Sequence, residues 1–133
     1  PGVSTLVQVI DGSTGNVLFS VAPFEATFTG GVYVAAGDIT GDGRPELVIT
    51  PDQGGGPRVQ VYDGVTFARI ADFFGIDDPN FRGGARAGVA DINGDGFGDL
   101  IVSAGFGGGP RVAVFTGVSI FAGGTPQKLI QDF

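Results

Sequence analysis

The chain has 133 residues, with 14 acidic side chains against 7 basic ones and a net charge of -7 at neutral pH. Cysteine and histidine are both absent, which excludes disulfides, zinc–thiolate sites and histidine-based nucleophilic catalysis. The charge disfavours nucleic acid and anionic membranes as partners, and no run of about 18 apolar residues is present to cross a bilayer.

The opening residues, PGVSTLVQV, carry no basic n-region and do not read as a signal peptide. A mature segment of a secreted precursor would lack one as well. The 26 glycines cluster between short apolar stretches without a Gly-X-Y period, the pattern of an all-β chain with many tight turns. No stretch carries a helical stripe of 10 or more residues.

Repetition organises the chain. Residues 31–65 align without gaps to residues 84–118 at an offset of 53, with 16 of 35 positions identical. A partial third copy comes first, where VQVIDG at 7–12 mirrors VQVYDG at 59–64. Three units follow: a partial one over residues 1–30 and full ones over 31–83 and 84–133.

Within a full unit, strand A is predicted at 31–37 and 84–90, from small and apolar residues. An acidic loop follows at 38–46 and 91–99. Strand B is the apolar run at 47–50 and 100–103. A glycine-rich turn, QGGGP or FGGGP, then leads through Pro57 or Pro110 into strand C at 58–62 and 111–115, which alternates with period two. The turn lacks the Lys-Ser/Thr of a phosphate-binding loop and opens no helix. Arg58 and Arg111 recur at the head of strand C, each expected to pair with a carboxylate. Strand D is predicted at 68–73 and at about 127–133. Phe24, Phe28, Phe73, Phe74, Phe81 and Phe133 lie near the unit junctions, where aromatic bulk suits packing between units.

Four short antiparallel strands per unit match one blade of a β-propeller. The predicted fold is all-β, with about two and a half blades of propeller type. Blades bury their faces only against neighbours. The implied partners are therefore neighbouring blades of a longer parent chain, or further copies of this one.

The acidic loops carry the chemistry. The first is Asp38-Ile39-Thr40-Gly41-Asp42-Gly43-Arg44-Pro45-Glu46, and the second is Asp91-Ile92-Asn93-Gly94-Asp95-Gly96-Phe97-Gly98-Asp99. Side-chain oxygens fall at positions 1, 3, 5 and 9, with glycine at 4 and 6. Position 7 (Arg44, Phe97) would give only its backbone carbonyl. This resembles the front of an EF-hand loop, without flanking helices and with Ile49 or Val102 at position 12. Calcium takes six to eight hard oxygens at about 2.3–2.6 Å, and its charge would cancel the repulsion among the carboxylates. Two calcium sites are therefore expected, at Asp38, Thr40, Asp42, Arg44 and Glu46, and at Asp91, Asn93, Asp95, Phe97 and Asp99. The competing possibility is an acidic turn whose carboxylates cap backbone N–H groups without metal. Thr40 is a poorer ligand than Asn93, and Glu46 is one carbon longer than Asp99, so the first site is expected to be the weaker.

Phe28–Glu46 and Phe81–Asp99 resemble FG-GAP repeats, also called VCBS repeats, which form the blades of the integrin α-subunit propeller and of many bacterial extracellular proteins. In that family a D-x-[DNT]-x-D-G-x-x-[DE] loop between the first two strands of a four-stranded blade holds calcium. Asp38, Thr40, Asp42 and Glu46 match it in one unit, and Asp91, Asn93, Asp95 and Asp99 in the other. The Phe-Gly and Gly-Ala-Pro elements are degenerate here, which weakens any analogy to an integrin ligand surface. The tidy repeats and GGGPRV turns look bacterial.

The resemblance implies a calcium-stabilised extracellular structural or interaction module, part of an adhesion or cell-surface protein. One alternative is a carbohydrate-binding module using Tyr33, Tyr62 and the segment 77–82, with a protein or glycan as ligand. Another is the non-catalytic portion of a secreted polysaccharide-degrading enzyme. No enzymatic activity is expected of this chain: Asp77 and Asp78 are the conspicuous acids outside the loops, and adjacent residues seldom converge on one glycosidic bond.

Overall fold

The computed structural model describes residues 3–133; residues 1 and 2 of the first predicted unit lie outside the described residues. Strands β1 (Val7–Ile10) and β2 (Val17–Val21) form a two-stranded antiparallel hairpin. Strands β3 (Val32–Gly37), β4 (Glu46–Pro51), β5 (Arg58–Tyr62) and β6 (Arg69–Phe74) form a four-stranded antiparallel sheet in sequence order. A second such sheet holds β7 (Ala85–Ala90), β8 (Asp99–Ala104), β9 (Val112–Phe115) and β10 (Lys128–Ile130). A short helix, α1 (Gly117–Phe121), joins β9 to β10.

The 53-residue repeat is copied into the register. Val32 pairs with Pro51 and Gly37 with Glu46, while Ala85 pairs with Ala104 and Ala90 with Asp99. Leu47 faces Tyr62 as Leu100 faces Phe115. Each four-stranded meander resembles a propeller blade. Among the described residues the sheets do not close into a ring.

The middle strands are buried on both faces, which is why β4 and β8 read as continuous apolar runs rather than alternating ones. One face of the β3–β6 sheet, with Val48, Val59 and Val61, packs on Leu100, Val102, Ala113 and Phe115 of the next sheet. Its opposite face, with Ile49 and Tyr62, packs on Val7 of the β1–β2 hairpin and on Phe24. Polar ties reinforce the first junction: the Thr50 hydroxyl donates to the Ala85 carbonyl at 2.9 Å, and Arg86 reaches Asp52 at 3.0 Å while its guanidinium covers the Tyr33 ring.

Strand β5 departs from simple alternation. Gln60 is fully buried, and it donates to the Pro23 carbonyl at 2.7 Å while accepting from the Tyr62 hydroxyl. The period-two pattern therefore marks two buried faces, not a buried and a wet one. Phe24, Phe28 and Phe73 do pack at junctions, Phe73 edge-on to Phe115. Phe74 and Phe133 are exposed instead.

Helix α1 was not expected from the sequence. Thr116 caps it, its hydroxyl accepting from Ser119 N–H, and five residues suffice to turn the longer connection before β10. That last strand ends at Ile130, short of the predicted 133.

Candidate metal loops and their buried anchor

Each acidic loop leaves the first strand of its sheet, β3 or β7 at the sheet edge, and re-enters as the next, β4 or β8. In the first, Asp38 Oδ1 accepts from Gly41 N–H at 2.8 Å and from Asp42 N–H at 3.1 Å, and Oδ2 accepts from Gly43 N–H at 2.8 Å. In the second, Asp91 makes the same three bonds to Gly94, Asp95 and Gly96, at 2.7, 3.1 and 3.0 Å. Asp42 and Asp95 then each accept the N–H two residues on. Curling the backbone this tightly puts Gly41, Gly43, Gly94 and Gly96 at positive φ, a region costly to other residues. The loops curl as the spacing of their glycines demands.

The remaining positions divide. Thr40 Oγ1 is buried and has no hydrogen-bond partner among the described residues. At the equivalent place Asn93 is exposed and its side chain bonds to Asp95. The carbonyl oxygens of Arg44 and Phe97 accept no hydrogen bond from the described residues. The candidate donors of each loop are the carboxylates of positions 1 and 5, the side chain of position 3 and the carbonyl of position 7. All are hard oxygen donors, and among the donor side chains the buried Thr40 hydroxyl is the one left without a partner among the described residues.

Position 9 does something the ligand pattern alone did not reveal. Glu46 and Asp99 are both fully buried. Glu46 Oε2 accepts from Ile39 N–H at 2.7 Å and Thr40 N–H at 2.9 Å, and Oε1 accepts from Gly64 N–H at 3.4 Å. Asp99 repeats this with Ile92, Asn93 and Gly117, at 2.9, 3.4 and 3.1 Å. One buried carboxylate thus ties the start of the loop to the corner that follows the third strand of its sheet. Charge-assisted bonds to backbone donors are among the stronger hydrogen bonds. No group of three or more acidic residues is arranged to hold a metal by itself among the described residues.

The two loops also touch. Gly98 N–H donates to the Asp38 carbonyl at 2.6 Å, and the Phe97 ring lies against Gly41. Nothing in the spacing of the repeat signals that contact.

The arginines found their carboxylates. Arg58 grips Asp72 through two bonds of 2.7 Å and reaches Glu25 at 3.0 Å. The bond from Arg58 holds the Asp72 carboxyl below its ordinary value, against a smaller opposing push from burial. Arg111 faces Asp132 at 3.5 Å. Of the residues weighed for glycan contact, Tyr62 is buried and bonded to Gln60, while Pro79 and Arg82 line an open groove of about 460 Å³ with Phe24, Phe28 and Phe74.

The model of the FG-GAP-like repeat family matches residues 38–102, from the first acidic loop through the second and into β8. That span, just under half of the chain, marks a distant relationship to this repeat family. No curated protein and no solved structure matches the chain. No helix among the described residues is long and apolar enough to cross a membrane.

Proposed function

We propose that this chain is a non-catalytic, calcium-stabilised module of propeller-type blades, serving a structural or interaction role in an extracellular or cell-surface protein. The observation that carries the reading is the twice-repeated curl of Asp38–Gly43 and Asp91–Gly96, in which one carboxylate gathers three successive N–H groups. That curl brings positions 1, 3, 5 and 7 into one tight loop and leaves Asp38 Oδ2, the Asp42 carboxylate and the Arg44 carbonyl with lone pairs that an ion could take. The buried, unpartnered Thr40 hydroxyl favours an ion there over a bare turn. In this reading Asp38, Thr40, Asp42 and the Arg44 carbonyl hold one ion, and Asp91, Asn93, Asp95 and the Phe97 carbonyl hold the other. Glu46 and Asp99 fix the loop ends beside them and have lone pairs left for the ion or its water.

Calcium would tie β3 to β4 and β7 to β8, adding stability by binding only the folded state. Extracellular modules with such sites bind at about 10⁻⁴–10⁻³ M, so the sites would fill outside a cell. Calorimetric titration tests this: two calcium ions per chain are expected, with Asp38→Ala and Asp91→Ala each removing one. No binding, or binding unchanged by both substitutions, would contradict it.

The glycan-binding alternative has the aromatic groove beside Arg58 and Arg82 in its favour. Its test is a glycan array in calcium, comparing the chain with its Arg82→Ala variant.

A further inference from the structure

The two acidic loops meet through backbone groups that also belong to their candidate ion positions. Gly98 N–H donates to the Asp38 carbonyl at 2.6 Å. The same peptide unit carries the Phe97 carbonyl, the position-7 donor of the second loop, which accepts no hydrogen bond from the described residues. On the other side, the unit that carries the Asp38 carbonyl also carries Ile39 N–H. That N–H donates to Glu46 Oε2 at 2.7 Å and more loosely to the Gly37 carbonyl at 3.0 Å. A continuous series therefore runs from the Phe97 carbonyl through Gly98 N–H, the Asp38 carbonyl and Ile39 N–H to the buried Glu46 carboxylate. Two rigid peptide planes join a donor of one loop to the anchor of the other.

Packing holds this series in place. Ile39 is fully buried, in one core with Leu100 and Ile120 of the second unit. Gly98 takes no positive φ, and it is glycine because the backbone of the first loop comes close. A Cβ there would stand 2.7 Å from the Asp38 carbonyl oxygen and 2.7 Å from Val89 Cγ1. Position 8 of the first loop is Pro45, which has no N–H to give. The bond thus belongs to this one junction and is not a general property of the repeat.

We propose that the two loops bind calcium as a coupled pair, the second loop when filled tightening the first through Gly98 and Asp38. The inference rests on the calcium reading and adds the linkage between its two sites. A trans peptide sets its carbonyl and its N–H on opposite sides of one plane, and no cis bond occurs among the described residues. Fixing the Phe97 carbonyl on an ion therefore also fixes Gly98 N–H on Asp38, and polarisation makes that N–H a stronger donor. Asp38 is the residue whose carboxylate gathers the N–H groups of Gly41, Asp42 and Gly43. Holding its backbone removes freedom that the first loop would otherwise lose on binding, so that loop binds more tightly. Reciprocity requires the first loop, when filled, to strengthen the second by the same factor. Repulsion between the two cations acts in the opposite sense. Asp42, Asp91 and Asp95 are exposed, however, and salt screens charge at such positions, while the hydrogen-bonded series is not screened.

The test is calorimetric titration with calcium at about 0.15 M salt, on the intact chain and on Asp42→Ala and Asp95→Ala, which report the second and the first loop alone. The product of the two binding constants in the intact chain is expected to exceed the product of the single-loop constants by at least about fivefold, the lower end of ordinary coupling between sites. Replacing the Phe97–Gly98 amide by an ester removes the Gly98 N–H without adding an atom near Asp38. Carried in all three chains, the ester should abolish the excess. A second measurement needs no altered backbone. When calcium is added to Asp42→Ala, the scalar coupling across the hydrogen bond from Gly98 N–H to the Asp38 carbonyl should grow, and the Gly98 and Ile39 amide protons should move downfield. A product equal to or below that of independent loops, an excess that survives the ester, or a Gly98–Asp38 coupling that calcium leaves unchanged would each overturn the proposal. In each of those cases calcium still binds and the calcium reading stands, whereas a chain that binds no calcium sinks both.

Discussion

Removing the Glu46 carboxylate should do disproportionate harm for an acidic residue in an acidic chain. In Glu46→Ala, the N–H groups of Ile39 and Thr40 lose acceptors at 2.7 and 2.9 Å in a fully buried setting. A buried donor left unsatisfied costs about 1–3 kcal/mol, so two cost about 2–6 kcal/mol together. The 3.4 Å bond to Gly64 is too long to add much. At roughly 3–5 °C per kcal/mol for a domain of this size, the melting temperature should fall by about 6–30 °C. Glu46→Gln keeps one oxygen for Ile39 and Thr40 but turns an amide NH₂ toward Gly64, so its cost should be smaller, about 1–2 kcal/mol. Thermal and urea unfolding in excess chelator would measure both, with metal removed from the comparison. A Glu46→Ala cost below about 0.5 kcal/mol, the level of an ordinary surface substitution, would refute the role of this carboxylate as an anchor.

Three further outcomes follow from named contacts. The first loop should bind calcium more weakly than the second, because a threonine hydroxyl replaces the asparagine carbonyl; separate titrations of Asp42→Ala and Asp95→Ala variants should leave the tighter site in Asp42→Ala, and equal residual affinities would contradict this. The Arg58–Asp72 pair should stabilise the fold above the unfolded carboxyl value of 3.8 and lose its contribution as pH falls through the lower folded value. Asp72→Asn should therefore flatten the acid limb of stability below pH 3.8, and an unchanged limb would count against the pair. Gly64→Ala should destabilise by about 1–3 kcal/mol through overlap with the Pro45 carbonyl, measured by denaturant unfolding, and a neutral result would contradict the tight corner.

Repetition made most of the fold legible before any coordinates. An ungapped offset of 53 predicts identical strand pairing in both units, and Val32↔Pro51 and Ala85↔Ala104 show it. Strand β5 falls on the predicted 58–62, and β3, β4, β6, β7, β8 and β9 depart from their predicted bounds by about one residue. Legibility failed where two physical demands ask for the same residue type. An acid at position 9 satisfies a ligand pattern and a backbone anchor equally well, and only the buried bonds of Glu46 to Ile39, Thr40 and Gly64 separate them. Gln60 was opaque for a related reason: alternation reports which residues share a face, not whether that face is wet. Helix α1, Gly117–Phe121, straddles Val118, where the repeat alignment ends, and a five-residue helix leaves no periodic signal.

The claim that loops 38–46 and 91–99 hold calcium is met most directly by thermal unfolding of the intact chain in millimolar calcium, in magnesium and in excess chelator. A higher melting temperature in calcium than in chelator, little changed by magnesium and lost when Asp38 and Asp91 are both replaced by alanine, is the result the account predicts. The same melting temperature in all three solutions would contradict it.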